Sequence, residues 1–586
     1  MKIASAGYSF SLGGNASANY NTAKIYGGEI TQIYGGNATG YGSPQASADG
    51  NVVTVIGGIV KGIFGGFSNA DGESTANGNT VEIGGEAKIE TVVYGGCVMG
   101  NGTTKAKATG NTVTISGAPT MDQAALYGGF AEDATGDIIT DNTLNLKTSG
   151  LKVAGIYNFS NLNFFLPASM GQGGTVIEVR DNGKSGSGTA NIHGSTVNVG
   201  VMGTASPLEV GDEVILIDAD SLEGDLANDS ADGKGMLGVS LLYEFDLDYD
   251  ANKLKATVTK KTVNDGVKAL AEGSAAGMGL LLVADGLPES AAVALDQGGI
   301  GVRGGVLPEA TIWRVFSAFG GGRERIETGS HVDLSAFTAS LGVARRFHTG
   351  PVDLVAGLFF EYGVGSYETY NRFPGGATVR GEGDLKFAGG GALIALDRLQ
   401  AGPGYFRFEL SGRAGRVEND YSSRDLRAAD GTMASYRTSS PYWGLRLGAA
   451  YLFDVTDTTS AEVYARWAFT RQGGGTARLS TGEKIVFEDA DSSRIKAGFR
   501  VSRRFGEKVE IYAGAAWENE LQGAAKSSVF GYSIDPPTMR GHTGVAEAGL
   551  RLKPSADGPL SLDLGLEGRA GKRRGLSGHM TIKLEF

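Results

Sequence analysis

Residues 578–586 read GHMTIKLEF, and every second one is apolar: Met580, Ile582, Leu584 and Phe586. His579, Thr581, Lys583 and Glu585 lie between them. Alternation with period two is the mark of a β-strand whose two faces meet different surroundings. The pattern fills the C-terminal half. Ala461, Val463, Ala465, Trp467 and Phe469 alternate with Glu462, Tyr464, Arg466, Ala468 and Thr470. Leu560, Leu562, Leu564 and Leu566 alternate with Ser561, Asp563, Gly565 and Glu567. Twelve such segments stand near 310–319, 333–347, 351–366, 379–397, 404–420, 437–454, 457–471, 484–505, 507–520, 539–553, 558–570 and 576–586.

Alternation alone leaves open which face is wet. A soluble sandwich or barrel would turn the apolar rows inward, and twelve strands would then need a core larger than one domain builds. The polar rows here carry arginine beside acids, as in Arg407/Glu409, Arg466/Glu462 and Arg569/Glu567. Such rows suit a charged, water-filled lumen, since an outward arginine at the bilayer midplane costs about 2–4 kcal/mol. Tyr362, Phe453, Phe469 and Phe505 fall near segment ends, as an interfacial girdle would. Twelve is also an even number, as single-chain outer-membrane barrels require. The prediction is an antiparallel transmembrane barrel of twelve strands. Its last strand closes on its first, with Met580, Ile582, Leu584 and Phe586 on the lipid row.

The first half repeats instead of alternating. Asn21, Asn51, Asn79, Asn111 and Asn142 open similar runs (NTAKIYGG, NVVTVIGG, NTVEIGG, NTVTISG, NTLNLKTSG), 28 to 32 residues apart. A second landmark keeps step: IYGG at Tyr34, IFGG at Phe64, VYGG at Tyr94, LYGG at Tyr127 and IYNF at Tyr157. Short β-branched runs with glycine between them, recurring every 30 or so residues, predict a solenoid that buries its apolar column only by stacking. The asparagines would form an amide ladder, and the glycines would supply turns with positive φ. From Phe164 to Lys261 the repeat fades into irregular β-rich sequence, read as the solenoid's cap.

Between the halves, VNDGVKALAEGSAAGMGLLLVADGL predicts a slim helix with Asn264 or Asp265 as N-cap. Its apolar run is too short to span lipid, yet about 23 residues reach roughly 35 Å. That is enough to thread a barrel, with Lys268, Ala271, Glu272, Gly273, Ala275, Ala276 and Gly277 along the pore.

Composition sharpens the division. Residues 1–302 contain one arginine, Arg180, and no tryptophan; the rest contain 28 arginines and all four tryptophans. A net charge of -12 argues against nucleic acid as a partner. The single cysteine, Cys97, excludes an internal disulfide and any metal site built on cysteine pairs, and it reads as an inward-facing or loop thiol. His193, His331, His348, His542 and His579 are scattered. GIGVRG at 299–304 precedes no strand–turn–helix unit, so it is no dinucleotide loop, and Glu178 replaces the first glycine a phosphate loop would need before Lys184. Asp246, Asp248 and Asp250 lack the glycine and distal glutamate of a calcium loop. The sequence therefore predicts no catalytic residue, no cofactor and no metal. The start, MKIASAGYSFSLGG, has no apolar run of secretory type.

The NTVTISG/LYGG repeats, PLEVGDEVILIDAD, KALAEGSAAG, WRVFSAFGGG and the terminal Phe586 together resemble the monomeric autotransporters of type V secretion. The resemblance implies an all-β chain: a right-handed parallel β-helix passenger in 1–163, its capping and folding segment in 164–262, a linker with a pore helix in 263–309 and a barrel in 310–586. It implies outer-membrane lipid, the β-barrel assembly machinery and periplasmic chaperones as partners, the machinery reading the last strand. It further implies a monomer in the outer membrane of a Gram-negative bacterium, with the passenger on the cell surface. Some members release the passenger by attack of a pore-helix asparagine on its own backbone. Here no Asn-Asn pair exists and Asn264 stands at the helix entrance, so an uncleaved passenger is expected. Export in this family needs an N-terminal signal, so an upstream segment is expected. The passenger reads as an adhesin for a host or cell-surface ligand. The alternative is the translocator end of a secreted enzyme whose catalytic region lies upstream.

Overall fold

The computed structural model describes residues 2–42, 44–184, 187–203, 207–287, 313–349, 352–373, 378–428, 431–555 and 558–585. The chain divides into two compact units, residues 1–264 and residues 265–586 apart from loop residues 428–431.

The first unit is a parallel solenoid. Ile3–Leu12, Glu29–Tyr41, Ile59–Asn69, Lys88–Lys107, Ala125–Asp137 and Gly155–Tyr157 stack in that order in one sheet. Thr22–Ile25, Val52–Val55, Thr80–Ile83, Thr112–Ser116, Thr143–Lys147 and Asn161–Leu166 stack in the second. Because the rungs pair in register, like residues sit on like. Tyr34, Phe64, Tyr94, Tyr127 and Tyr157 form one column, with neighbouring ring centroids 4.6 to 5.2 Å apart. Val53, Val81, Val113 and Leu144 form another, inside the core.

The asparagine ladder is present. Asn21, Asn51, Asn79 and Asn111 each donate from Nδ2 to the Oδ1 of the next, at 2.9, 3.0, 3.1 and 3.1 Å. The backbone N–H of each donates to the same oxygen. Asn142 ends the series by donating to the carbonyls of Ala108 and Ile138. Four of these asparagines, Asn51, Asn79, Asn111 and Asn142, are fully buried, and the ladder is what makes that tolerable.

The glycines divide into two groups. Gly28, Gly58 and Gly85 do hold positive φ. Those of the YGG landmarks do not turn the chain; they lie inside continuous strands. A Cβ on Gly66 would fall 2.1 Å from the Ala48 carbonyl oxygen, so bare backbone is needed for close approach.

Parallel pairing continues beyond Phe164, with Asn161–Leu166 on Thr196–Val201 and Thr175–Val179 on Glu213–Ala219. Antiparallel strands then finish the second sheet, where Lys253–Val263 pairs with both Leu241–Tyr249 and Glu213–Ala219. Asp246, Asp248 and Asp250 are exposed there, and no metal-holding cluster occurs among the described residues. Cys97 is buried beside Tyr34 and Phe64, and burial pushes its thiol well above the usual range.

The second unit is a closed antiparallel barrel of twelve strands. They are β1 (Trp313–Glu327), β2 (His331–Thr349), β3 (Val352–Arg372), β4 (Thr378–Ala401), β5 (Gly404–Arg427), β6 (Met433–Thr456), β7 (Thr459–Gln472), β8 (Ala490–Phe505), β9 (Val509–Glu520), β10 (Gly541–Leu552), β11 (Leu560–Gly571) and β12 (Arg573–Glu585). β12 pairs with β1 along its whole length, from Arg314↔Glu585 to Ile326↔Arg573. No edge is left open, as a hydrocarbon environment demands.

The side chains settle which face is wet. Glu361, Arg407, Glu324 and Arg573 are at most 4 % exposed on the inner rows. Phe360, Leu358, Phe499 and Trp313 are 52–63 % exposed on the outer ones. Inner aromatic rings lie over glycines of neighbouring strands, as Phe316 does over Gly342 and Phe387 over Gly363. β3 to β6 contain 21 or 24 residues each, about twice what a bilayer requires. Their extra length has charged outer faces, with Lys386 paired to Glu418 at 2.9 Å and Arg437 to Asp420 at 2.6 Å.

Three details of the strand reading change. Lys484–Phe487 is not the start of the eighth barrel strand. It belongs to a separate four-stranded sheet with Gly475–Arg478, Ser527–Val529 and Tyr532–Ile534, built from two loops on one end of the barrel. Tyr362 lies mid-strand because β3 runs on to Arg372. Arg407 forms its ion pair with Asp397, 3.1 Å away across the strand pair, while Glu409 faces Arg466 at 3.8 Å.

Candidate functional site

An α-helix, α1 (Lys268–Ala284), stands inside the barrel after a 3₁₀ turn at Asp265–Val267. Seventeen residues make it about 26 Å long. Its composition of alanine, glycine and leucine keeps it narrow, and almost every side chain is buried. The predicted N-cap is not formed. Val267 occupies the cap position in helical conformation with no side-chain bond, because the chain enters already coiled through the 3₁₀ turn. Asn264 belongs to the solenoid unit, where its Nδ2 donates to the Val239 carbonyl at 2.8 Å and its N–H to that of Ser240 at 2.9 Å.

The predicted pore residues all meet the barrel wall or its end loops. Lys268 Nζ lies 2.5 Å from Asp535, just past the four-stranded sheet. One turn on, Glu272 is fully buried. Its Oε1 accepts from Thr328 Oγ1 at 2.8 Å and Ser330 Oγ at 2.5 Å, and its Oε2 from Asn371 Nδ2 at 2.8 Å. A buried carboxylate is costly unless its lone pairs are met, and here three donors from β3 and the β1–β2 turn meet them. Gly273 is fixed by space. A Cβ there would lie 2.3 Å from Tyr436 Oη and 2.7 Å from Asn419 Nδ2. Tyr436 Oη instead donates to the Leu270 carbonyl at 2.6 Å. Ala271, Ala275 and Ala276 are at most 1 % exposed, and Gly277 faces Gln472.

The far end of the helix is held by charge. Arg413 Nη2 donates to the Leu281 carbonyl at 2.9 Å, meeting an orphan acceptor at the negative pole of the helix dipole. The same guanidinium lies 3.3 Å from Glu361. Asp285 then takes Arg494 at 2.5 Å and Arg446 at 3.5 Å. Beyond it a cavity of about 150 Å³ is lined by Asp285, Arg446, Glu462, Arg500, Glu547 and Glu567 among others. Leu287 continues along the wall onto Gly320 and the Phe316 cluster.

Thr328, Ser330, Asn371, Tyr436, Arg413 and Arg494 carry no signal of this role in the sequence. Only the barrel register brings them to the helix. Of the closing strand, Met580, Ile582 and Leu584 lie on the outward row, while Thr581 and Lys583 are buried inside. Phe586 and the 299–304 glycine motif lie outside the described residues.

The family model for the autotransporter β-domain matches residues 314–566. The C-terminal half is an autotransporter β-domain. The β-domain of the Bordetella autotransporter BrkA aligns at 18% identity over 46% of this chain and 98% of its own, with a TM-score of 0.36. The AIDA-I transport unit of Escherichia coli gives 14% identity over 54% and 99%, TM-score 0.38. The NalP translocator domain of Neisseria meningitidis gives 19% over 54% and 97%, TM-score 0.38. No curated protein sequence matches the chain. The barrel of this β-domain lies in the outer membrane, with the solenoid as its surface passenger. Its lipid-facing rows and closed single-chain barrel are those of a monomeric translocator.

Proposed function

We propose that the passenger stays covalently attached and serves as a binding or adhesive scaffold, with α1 as its permanent anchor and plug. The observation that carries this reading is the Glu272 cluster: a buried carboxylate met by three donors fixes the helix at one depth. The helix sequence KALAEGSAAGMGLLLVA offers no asparagine to attack its own backbone, and Asn264 is already committed to the solenoid. Binding without catalysis fits a passenger whose buried polar side chains are ladder amides and hydroxyls already bonded within the fold, such as Ser74 to Ser68 and Ser195 to the Phe159 carbonyl. The barrel assembly machinery is the expected reader of Met580, Ile582 and Leu584 on the closing strand, with periplasmic chaperones before it. The passenger's target is a host or cell-surface ligand. A secreted enzyme with its catalytic region upstream remains the second reading.

Whole cells expressing the full chain test attachment. Surface protease should remove residues 1–264 only when added from outside, and the boiled barrel should migrate differently from the unboiled one. Passenger recovered in the medium as a discrete fragment would refute permanent attachment.

A further inference from the structure

At the seam of β1 and β12 the outward row is reduced to backbone. There Gly321 lies opposite Gly578, flanked in the same cross-strand row by Phe337 on one side and Leu566 and Ala548 on the other. The two glycines leave a floor of bare backbone. Phe319, Phe337, Leu550, Leu564, Leu566 and Met580 stand around it, enclosing a groove of about 570 Å³ on the lipid-facing surface. A surface in contact with lipid fills such a hollow with hydrocarbon.

The groove ends at a charge. Arg323 follows Gly321 two residues along the same outward face, about 7 Å nearer the end at which α1 enters. That end faces outward, since the surface passenger precedes the helix. Arg323 is exposed and has no ion pair among the described residues. Its outward neighbours do: Arg325 with Asp333, Arg574 with Glu327, Lys386 with Glu418 and Arg437 with Asp420. Above the groove, Arg323 and Asp384 line a wider hollow together with Ser335, Ser366, Thr438 and Ser439. Mixed charge and hydroxyls suit sugar hydroxyls better than the compact head of a glycerophospholipid.

We propose that the seam groove holds an acyl chain of one lipopolysaccharide molecule whose phosphate pairs with Arg323. Apolar floor, single free guanidinium and sugar-sized polar hollow follow one another in the order that such a lipid presents chain, phosphate and saccharide. A guanidinium–phosphate contact is bidentate and charge-assisted, which makes Arg323 the decisive contact.

The test is native mass spectrometry of the full chain in detergent, stripped of lipid and then offered deep-rough lipopolysaccharide or phosphatidylglycerol. One lipopolysaccharide should be retained per barrel, with phosphatidylglycerol held about tenfold less. Arg323→Gln should lower retention about tenfold, the loss of one charge-assisted contact. Gly321→Leu should do the same by filling the floor while leaving Arg323 in place. Heat-modifiable migration reports folding of each variant, and Leu566→Ala replaces Gly321→Leu if the latter does not fold. Equal retention by Arg323→Gln, equal retention of phosphatidylglycerol, or a lipid-free dimer occupying the seam would each overturn the assignment.

Discussion

The solenoid and the barrel are both all-β, and they bury opposite things. In the solenoid, Val53, Val81, Val113 and Ile115 fill the interior, and the polar side chains inside are the ladder amides together with hydrogen-bonded hydroxyls such as Ser68 and Ser74. In the barrel, Glu361, Arg407, Glu324 and Arg573 are inside while Phe360 and Leu358 face out. The difference lies in the solvent each outer face meets. Water rewards burial of apolar area, whereas lipid removes that incentive and makes an outward charge costly. It also accounts for the arginines, 28 of which fall after residue 302. A planar guanidinium can meet two carboxylates inside a narrow lumen, as Arg573 meets Glu324 at 2.5 Å and Glu518 at 3.4 Å. The solenoid unit has one, Arg180, paired with Asp218 at 2.9 Å and partly exposed.

Adjacent residues on β3 offer the sharpest way to break this contrast. Glu361 is 1 % exposed, 3.3 Å from Arg413 and accepting from Tyr442 Oη at 2.7 Å. Glu361→Leu would improve an ordinary core. Here it should destabilise the barrel by about 3–5 kcal/mol, because Arg413 is left buried without its carboxylate. Phe360 points the other way and is 55 % exposed. Phe360→Arg would be harmless on a soluble surface but should cost about 2–4 kcal/mol in lipid. Urea unfolding in lipid vesicles measures both. If the two substitutions were neutral, the assignment of wet and dry faces would be wrong.

The solenoid obeys the complementary rule. Asn79→Ala removes the acceptor used by the Asn51 N–H and Nδ2 and the donor to Asn111. It should cost about 2–3 kcal/mol, since buried donors lose their partners. Thr54→Val, on the outer face of the same sheet, should stay within about 0.5 kcal/mol. Protease resistance of the passenger in rising urea separates the two. Equal effects would mean that the ladder is a by-product of stacking.

Period and repeat made most of this architecture legible before any coordinates. Twelve alternating segments became twelve barrel strands because each one has a lipid face and a lumen face along its length. The asparagines aligned because each repeat must match the next. What stayed hidden depends on register or on very short elements. Arg407 and Glu409 look like partners two residues apart, yet a strand places such neighbours side by side along one row, and Arg407 reaches across to Asp397. Lys484–Phe487 alternates well enough to read as barrel strand, but the chain leaves the wall at Gly473–Gly474 and rejoins it after Asp489, whose Oδ1 accepts from the Gly474 N–H. The partners of Glu272 come from positions 328, 330 and 371, which no local pattern links to residue 272.

The smallest expected effect tests the junction between the two kinds of burial. α1 is apolar like a core helix, yet it is housed in a charged lumen, and Glu272 is where the two meet. Glu272→Gln keeps shape and volume. Its one oxygen can still accept from Thr328 and Ser330, but its NH₂ then faces the Asn371 Nδ2 donor. Asn371 can turn over to meet it, because the one hydrogen of Ser330 stays with residue 272 and Ser330 Oγ, 2.7 Å from Asn371, then accepts from the turned amide. The three hydrogen bonds are then kept but lose their charge assistance, for about 1–2 kcal/mol in all. That shifts the ratio of seated to unseated helix by about tenfold, too little to unfold the barrel. In planar bilayers, wild type should stay closed, deletion of residues 268–284 should give a steady open pore, and Glu272→Gln should give brief openings between them. A variant as silent as wild type beside an open deletion would move the anchor from Glu272 to the Asp285 end, where Arg446 and Arg494 hold the chain.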